Sequence, residues 1–215
     1  MGLRESQKDR RRARIVAAAG ELLRERGIEG LAIREVAERA EVAPATIYNL
    51  IGGQNRVAAA LVTAAIDAIP FARPDLACME PLDRVIAHLA SVFESFEARA
   101  PEVRPVIRLY LARRGTPDWD AERPLAPLFE LGLATYGGWI AEARAAGAFA
   151  PEVPADAVAA ALMSTLKAHV DAWALASEGA GLVAASAVRA GAIVLLSGAL
   201  GLVRARLTAM AGGAA

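Results

Sequence analysis

Apolar residues recur at helical spacing along most of the chain, and no stretch alternates as a half-buried strand requires. Ile15, Ala19, Leu22 and Leu23 make one stripe, predicting a helix over residues 10–26 that Gly27 stops. Ile33, Val36, Ala37 and Ala40 make a second, short stripe. After a break, Val42, Ile47, Leu50 and Ile51 continue the apolar set. Pro44 fits a first helical position, where its missing N–H costs nothing. Two short helices joined by a tight turn are therefore expected within residues 33–53. Ala37, Glu41 and Ile47 stand at helix-turn-helix spacing: a small residue for a close crossing, a turn residue, then an apolar plug.

The same periodicity predicts a helix from Gln54 to about Ile69, with Val57, Leu61, Ala65 and Ile69 on one face and Pro70 and Pro74 ending it. Further helices are expected over 81–100, 101–114 and 124–146, with a bend at Gly137-Gly138. Residues 115–118 and 147–154 read as loops. Two last helices, near 155–178 and 183–210, flank a linker at Gly179 and Gly181. The class is all-α, divided into a three-helix head over 1–53 and a helical body over 54–215.

The stretch around Arg34, Ala37, Val42 and Thr46-Ile47-Tyr48 resembles the N-terminal DNA-binding domain of the TetR family of bacterial transcriptional regulators. With the preceding helix, the resemblance covers about the first sixty residues. It implies that the second short helix enters a DNA major groove, with Pro44, Ala45 and Asn49 toward base edges. By the same resemblance Thr46 and Tyr48 bond phosphates, and Arg34 reaches DNA from the preceding helix. Several positions depart from the family pattern. Glu41 stands for the turn glycine, which would strain a residue at positive φ by roughly 1 kcal/mol. Ala32 and Ala43 replace capping hydroxyls, at ~1 kcal/mol each. Gln54 replaces a phosphate-binding lysine, a role Arg56 is placed to take.

Charge adds to this picture. Lys and Arg equal Asp and Glu at 24 each, but residues 1–56 carry eleven basic and eight acidic side chains. The excess lies in Arg4, Lys8, Arg10, Arg11, Arg12 and Arg14. A terminal charge run is more often a solvated tail, yet one placed directly before a helix-turn-helix can run along DNA phosphates or enter a minor groove. The lone Cys78 excludes an internal disulfide and fits a reducing, cytoplasmic setting. The uncharged run from Ala190 to Val203 falls short of the ~20 residues a membrane span needs.

Candidate chemistry is sparse. His88 and His169 do not form a metal-ligand spacing, no catalytic pair stands out, and neither a metal nor a cofactor is expected. Tyr110, Phe129, Tyr136, Trp139, His169 and Trp173 are ordinary core residues or the lining of an apolar pocket. The resemblance favours the pocket, since it implies a ligand in the core of each body. A hydrophobic small molecule is expected, oriented by His169 or Tyr136. In the last helix, Ala184, Gly191, Gly198 and Ala205 recur every seven residues, with Gly201 in a second such series. This seam is either internal packing or a subunit interface. The resemblance, implying a four-helix bundle from the last two helices of each partner, favours a homodimer.

Three functions are compatible with these residues. One is a homodimeric repressor released from a palindromic double-stranded DNA operator by a hydrophobic effector. Another is a helical ligand-binding protein with a degenerate helix-turn-helix. An enzyme on a helical scaffold comes last, having no visible catalytic pair.

Overall fold

The computed structural model describes residues 3–68, 74–177 and 184–212. Among them the protein is helix joined by turns, with one isolated antiparallel bridge between Phe149 and Ala199. The helices gather into two compact units. One combines Met1–Ala68 with Arg99–Ala126, the other Ile69–Ala98 with Pro127–Ala215. The division differs from the expected 1–53 and 54–215, because α4 and the segment after Arg99 both pack with the head. Pro70, Gly179 and Gly181, read as helix stops and linker, lie outside the described residues.

The first unit holds α1 (Leu3–Arg26), a 3-10 turn (Gly27–Leu31), α2 (Ile33–Arg39), α3 (Pro44–Leu50) and α4 (Gln54–Asp67). After α5, described below, α6 (Ala100–Arg113) and α7 (Pro117–Glu122) complete it. Its core draws Ile15 and Leu22 from α1, Ile47 from α3, Val57 from α4, Leu109 from α6 and Trp119 from α7. Helix α1 begins seven residues earlier than its apolar stripe predicts. Residues 5–14 bury nothing fully, so hydrophobic periodicity is blind to them, while their Arg, Lys, Gln and Glu are good helix formers. Helix α7 replaces an expected loop: Gly115 turns the chain at φ 88 and Pro117 starts the new helix.

The second unit holds α5 (Pro81–Ala98), α8 (Ala126–Ala145), α9 (Ala155–Leu175), α10 (Ala184–Leu195) and α11 (Gly201–Gly212). Helix α8 runs unbroken through Gly137-Gly138, where a bend was expected. It lies close to α9: a Cβ on Gly132 would fall 2.3 Å from the Met163 sulfur. The expected single last helix is two. Its break is stitched to the α8–α9 loop, Ala150 N–H donating to Gly198 O (2.7 Å) and Leu200 N–H to Ala148 O (3.0 Å). Arg204 caps the freed end of α10 by donating to the carbonyls of Leu196 and Ala199. No helix among the described residues is long and apolar enough to cross a membrane.

Candidate nucleic-acid interface and effector core

The turn between α2 and α3 has the geometry its spacing predicts. Ala37 and Ile47 are buried at 1% and 0% exposure, and Val42 N–H donates to Ala37 O at 2.9 Å. Glu41 takes φ 51, the left-handed conformation expected there. Neither α2 nor α3 has a side-chain cap, in keeping with Ala32 and Ala43 at those positions.

Long side chains from α1 brace this turn. Arg14 Nη2 donates to the carbonyls of Ala40 (2.5 Å) and Glu41 (3.3 Å), and Arg12 Nε donates to Leu50 O (2.9 Å). Both place positive charge at the carbonyl end of a short helix, the favourable end of its dipole. On the other side Arg39 of α2 holds Glu21 and Glu25 of α1, at 3.1 and 2.8 Å. The hydrogen bond from Arg39 keeps the Glu25 carboxyl below its ordinary range. Sequence reasoning missed these roles. Their partners lie 14 to 38 residues away, and nothing in a local pattern distinguishes a bracing arginine from a free one.

With Ile47 facing inward, α3 presents Pro44, Ala45, Tyr48 and Asn49 to solvent, and Thr46 is half-buried. Tyr48 is 58% exposed. Arg34 on α2 and Arg56 on α4 are also exposed. A Cβ on Gly52 would meet the Arg56 side chain at 2.5 Å, so the glycine lets Arg56 lie back over the α3–α4 joint.

The six proposed pocket residues do not form one group. Tyr110 belongs to the first unit, its ring 6.1 Å from that of Trp119. Its place in the pocket is implied only by the resemblance, whereas the end of α6 packs with the head. Tyr136 and Trp139 of α8 do meet, at 6.1 Å, but around His88 of α5. His88 is fully buried, its Nδ1 3.0 Å from the Tyr136 hydroxyl, its ring edge-on to both aromatics. Burial pushes the Tyr136 phenol well above its ordinary range. His169 packs edge-on against Phe93, with Nδ1 donating to Thr165 O at 2.9 Å, and Trp173 packs against Phe96. Phe129 is half-buried. His88 was legible: it falls three residues after Val85 and four before Val92, on the buried stripe of α5.

The proposed small-residue seam is used inside the chain. A Cβ on Gly191 would fall 2.5 Å from Leu89, and one on Gly198 2.3 Å from Phe149. Both faces are already occupied by side chains of the same unit. Gly201 restarts the chain at φ 56, and Ala205 lies on α11, so the seven-residue register crosses a break. The Ala184 side chain lies outside the described residues. Open apolar stripes instead run along α8 (Leu131, Ala134, Gly138, Ala141) and α9 (Ala161, Ser164, Ala168, Ala172, Leu175). Between these helices a groove of about 500 Å³ is lined by Leu133, Gly137, Pro154 and Ala160, with Arg144 and Asp156 at its polar edge. None of the proposed pocket residues lines it. Among the described residues no three His, Cys, Asp or Glu side chains gather as a metal site.

Residues 15–50 match the family model of bacterial regulatory proteins of the tetR family. No curated protein matches the chain by sequence. Among solved structures the chain is similar to TylP, a TetR regulator from Streptomyces fradiae, at 24% identity and TM-score 0.64, covering 94% of this chain and 92% of that one. It is similar to SmeT, repressor of the Stenotrophomonas maltophilia multidrug efflux pump SmeDEF, at 17% identity and TM-score 0.66, covering 89% and 92%. The regulator FadR from Bacillus subtilis, in complex with stearoyl-CoA, is similar at 14% identity and TM-score 0.68, covering 85% and 97%. Residues 15–50 thus match the model of the family's DNA-binding domain, and the chain shares the fold of these TetR regulators along nearly its whole length.

Proposed function

We propose that the protein is a homodimeric repressor that works in the cytoplasm and leaves a palindromic operator when its second unit binds a hydrophobic small molecule. The observation that carries this reading is the solvent face of α3, where Tyr48 and Asn49 stand open on a helix whose other side is locked by Ile47. Pro44, Ala45 and Asn49 approach base edges; Thr46, Tyr48, Arg34 and Arg56 hold phosphates. Phosphate contacts position the protein and base contacts specify the site. The effector is held in the second unit around Tyr136, Trp139, His169 and Trp173, with His88 rather than Tyr110 beside Tyr136 and Trp139. Binding of stearoyl-CoA by FadR supports a hydrophobic effector. The open stripes of α8 and α9 are the faces that meet a second copy, since a pair of heads spaced by ~34 Å is what a palindrome requires.

Mobility shift on the DNA flanking the protein's own gene tests the reading. The wild type is expected to retard that DNA in preference to unrelated duplex. Tyr48→Phe should weaken binding to every sequence alike, whereas Asn49→Ala should relax preference at one position by ~1–3 kcal/mol. Absence of any wild-type shift would favour the second reading, a ligand-binding protein whose uncapped helix-turn-helix no longer grips DNA. Equal loss on all sequences for Asn49→Ala would remove that residue from the base-reading set.

A further inference from the structure

We infer that the first three turns of α1 form a rigid helical extension that binds DNA phosphates beyond the groove entered by α3. The inference rests on the DNA-binding reading above. Helix α1 starts at Leu3, yet from Glu5 onward its first buried side chain is Ile15. Residues 5–14 therefore project as helix for ~15 Å without a fully buried side chain, at 1.5 Å per residue. They carry Lys8, Arg10, Arg11, Arg12 and Arg14 against Glu5 and Asp9. A helix this exposed and this basic has no packing reason to extend so far, and its charge complements a polyanion.

The geometry divides these cations into two sets. Arg12 and Arg14 are turned inward, onto the carbonyls of Leu50, Ala40 and Glu41, and hold the recognition helix in place. Lys8 and Arg10 lie one helical turn further out on the same two faces, at i−4 from Arg12 and Arg14. Their faces thus continue the side of α1 that touches α3, so the extension is contiguous with the proposed DNA surface. Lys8 is only loosely engaged, 3.7 Å from Glu5 with both side chains 56% exposed. Arg10 and Arg11 are exposed. Duplex DNA offers a negative charge per ~1.7 Å of axis, so the extension spans several phosphates.

The test is the salt dependence of binding to a random-sequence 30-base-pair duplex, which needs no operator. Each lost phosphate contact lowers the log–log slope by ~0.9, so the triple variant Lys8→Gln, Arg10→Gln, Arg11→Gln should lower it by about 2–3. Glutamine is a good helix former, and circular dichroism checks that the helix persists. A control triple, Arg24→Gln, Arg114→Gln, Arg123→Gln, removes the same charge from the same unit and should leave the slope within one contact of wild type. Arg12→Gln and Arg14→Gln should instead lower the melting temperature of the unliganded protein. An unchanged slope in the first triple, or an equal fall in both triples, overturns the extension while leaving DNA binding intact. A wild type that does not bind the duplex at low salt overturns the DNA reading itself, and the extension with it.

Discussion

Glu41 occupies the turn between α2 and α3 at φ 51, a conformation that favours glycine because a Cβ crowds the following carbonyl. The strain is tolerated because the turn is over-determined. Val42 N–H is fixed on Ala37 O, Glu41 N–H on Glu38 O, and Arg14 grips two carbonyls from outside. Glu41→Gly should therefore stabilise the first unit by up to about 1 kcal/mol, part of the gain being offset by the freer unfolded chain. Urea titration of the two proteins measures this. A glycine variant less stable than wild type would show that the glutamate side chain contributes more than its backbone costs. Spacing marks Glu41 as the turn residue, since a turn position depends only on its neighbours in sequence, and the resemblance, which has glycine there, marks it as strained.

At the scale of elements, local signals were read well and non-local ones were not. The limits of α2 and α3 follow from Pro44, the plug Ile47 and the apolar stripes, all within twenty residues. The break between α10 and α11 is pinned by Phe149 and Ala148, some fifty residues away; Ser197-Gly198 and Gly201 mark it locally, but the seven-residue spacing reads as a seam instead. Glycines at seven-residue spacing state that something approaches closely, not what approaches. At Gly198 it is the ring of Phe149, which is 1% exposed and pinned by the bridge beside it. Gly198→Ala should thus destabilise the second unit by ~1–3 kcal/mol through overpacking while leaving the oligomeric state unchanged. Ala168→Arg on the open face of α9 should do the reverse, giving folded monomers. Thermal melts with light scattering separate the two. A dimer lost in the glycine variant at a temperature where it remains folded would restore the original seam.

For the whole molecule, the central quantity is the free energy that links the two compact units. The chain passes between them three times, near residues 68, 98 and 126, so a sequence division into consecutive domains misses α6 and α7. The proposed effector core includes Trp139 and Trp173, while Trp119 lies in the unit that carries α3. Fluorescence can consequently be assigned by unit, with Trp139→Phe and Trp173→Phe leaving Trp119 as the head's reporter. An effector weakens DNA binding only as far as it prefers the conformation that DNA does not, and tenfold weaker binding needs ~1.4 kcal/mol of such preference. Linkage makes the effect reciprocal: operator DNA must weaken the effector by the same factor. Titrating apolar small molecules against the tryptophan signal, with and without saturating operator, should give dissociation constants that differ by the same ratio as the DNA affinities measured with and without that molecule. A molecule that binds the second unit with one dissociation constant under both conditions occupies the core without regulating DNA, and cannot be the inducer.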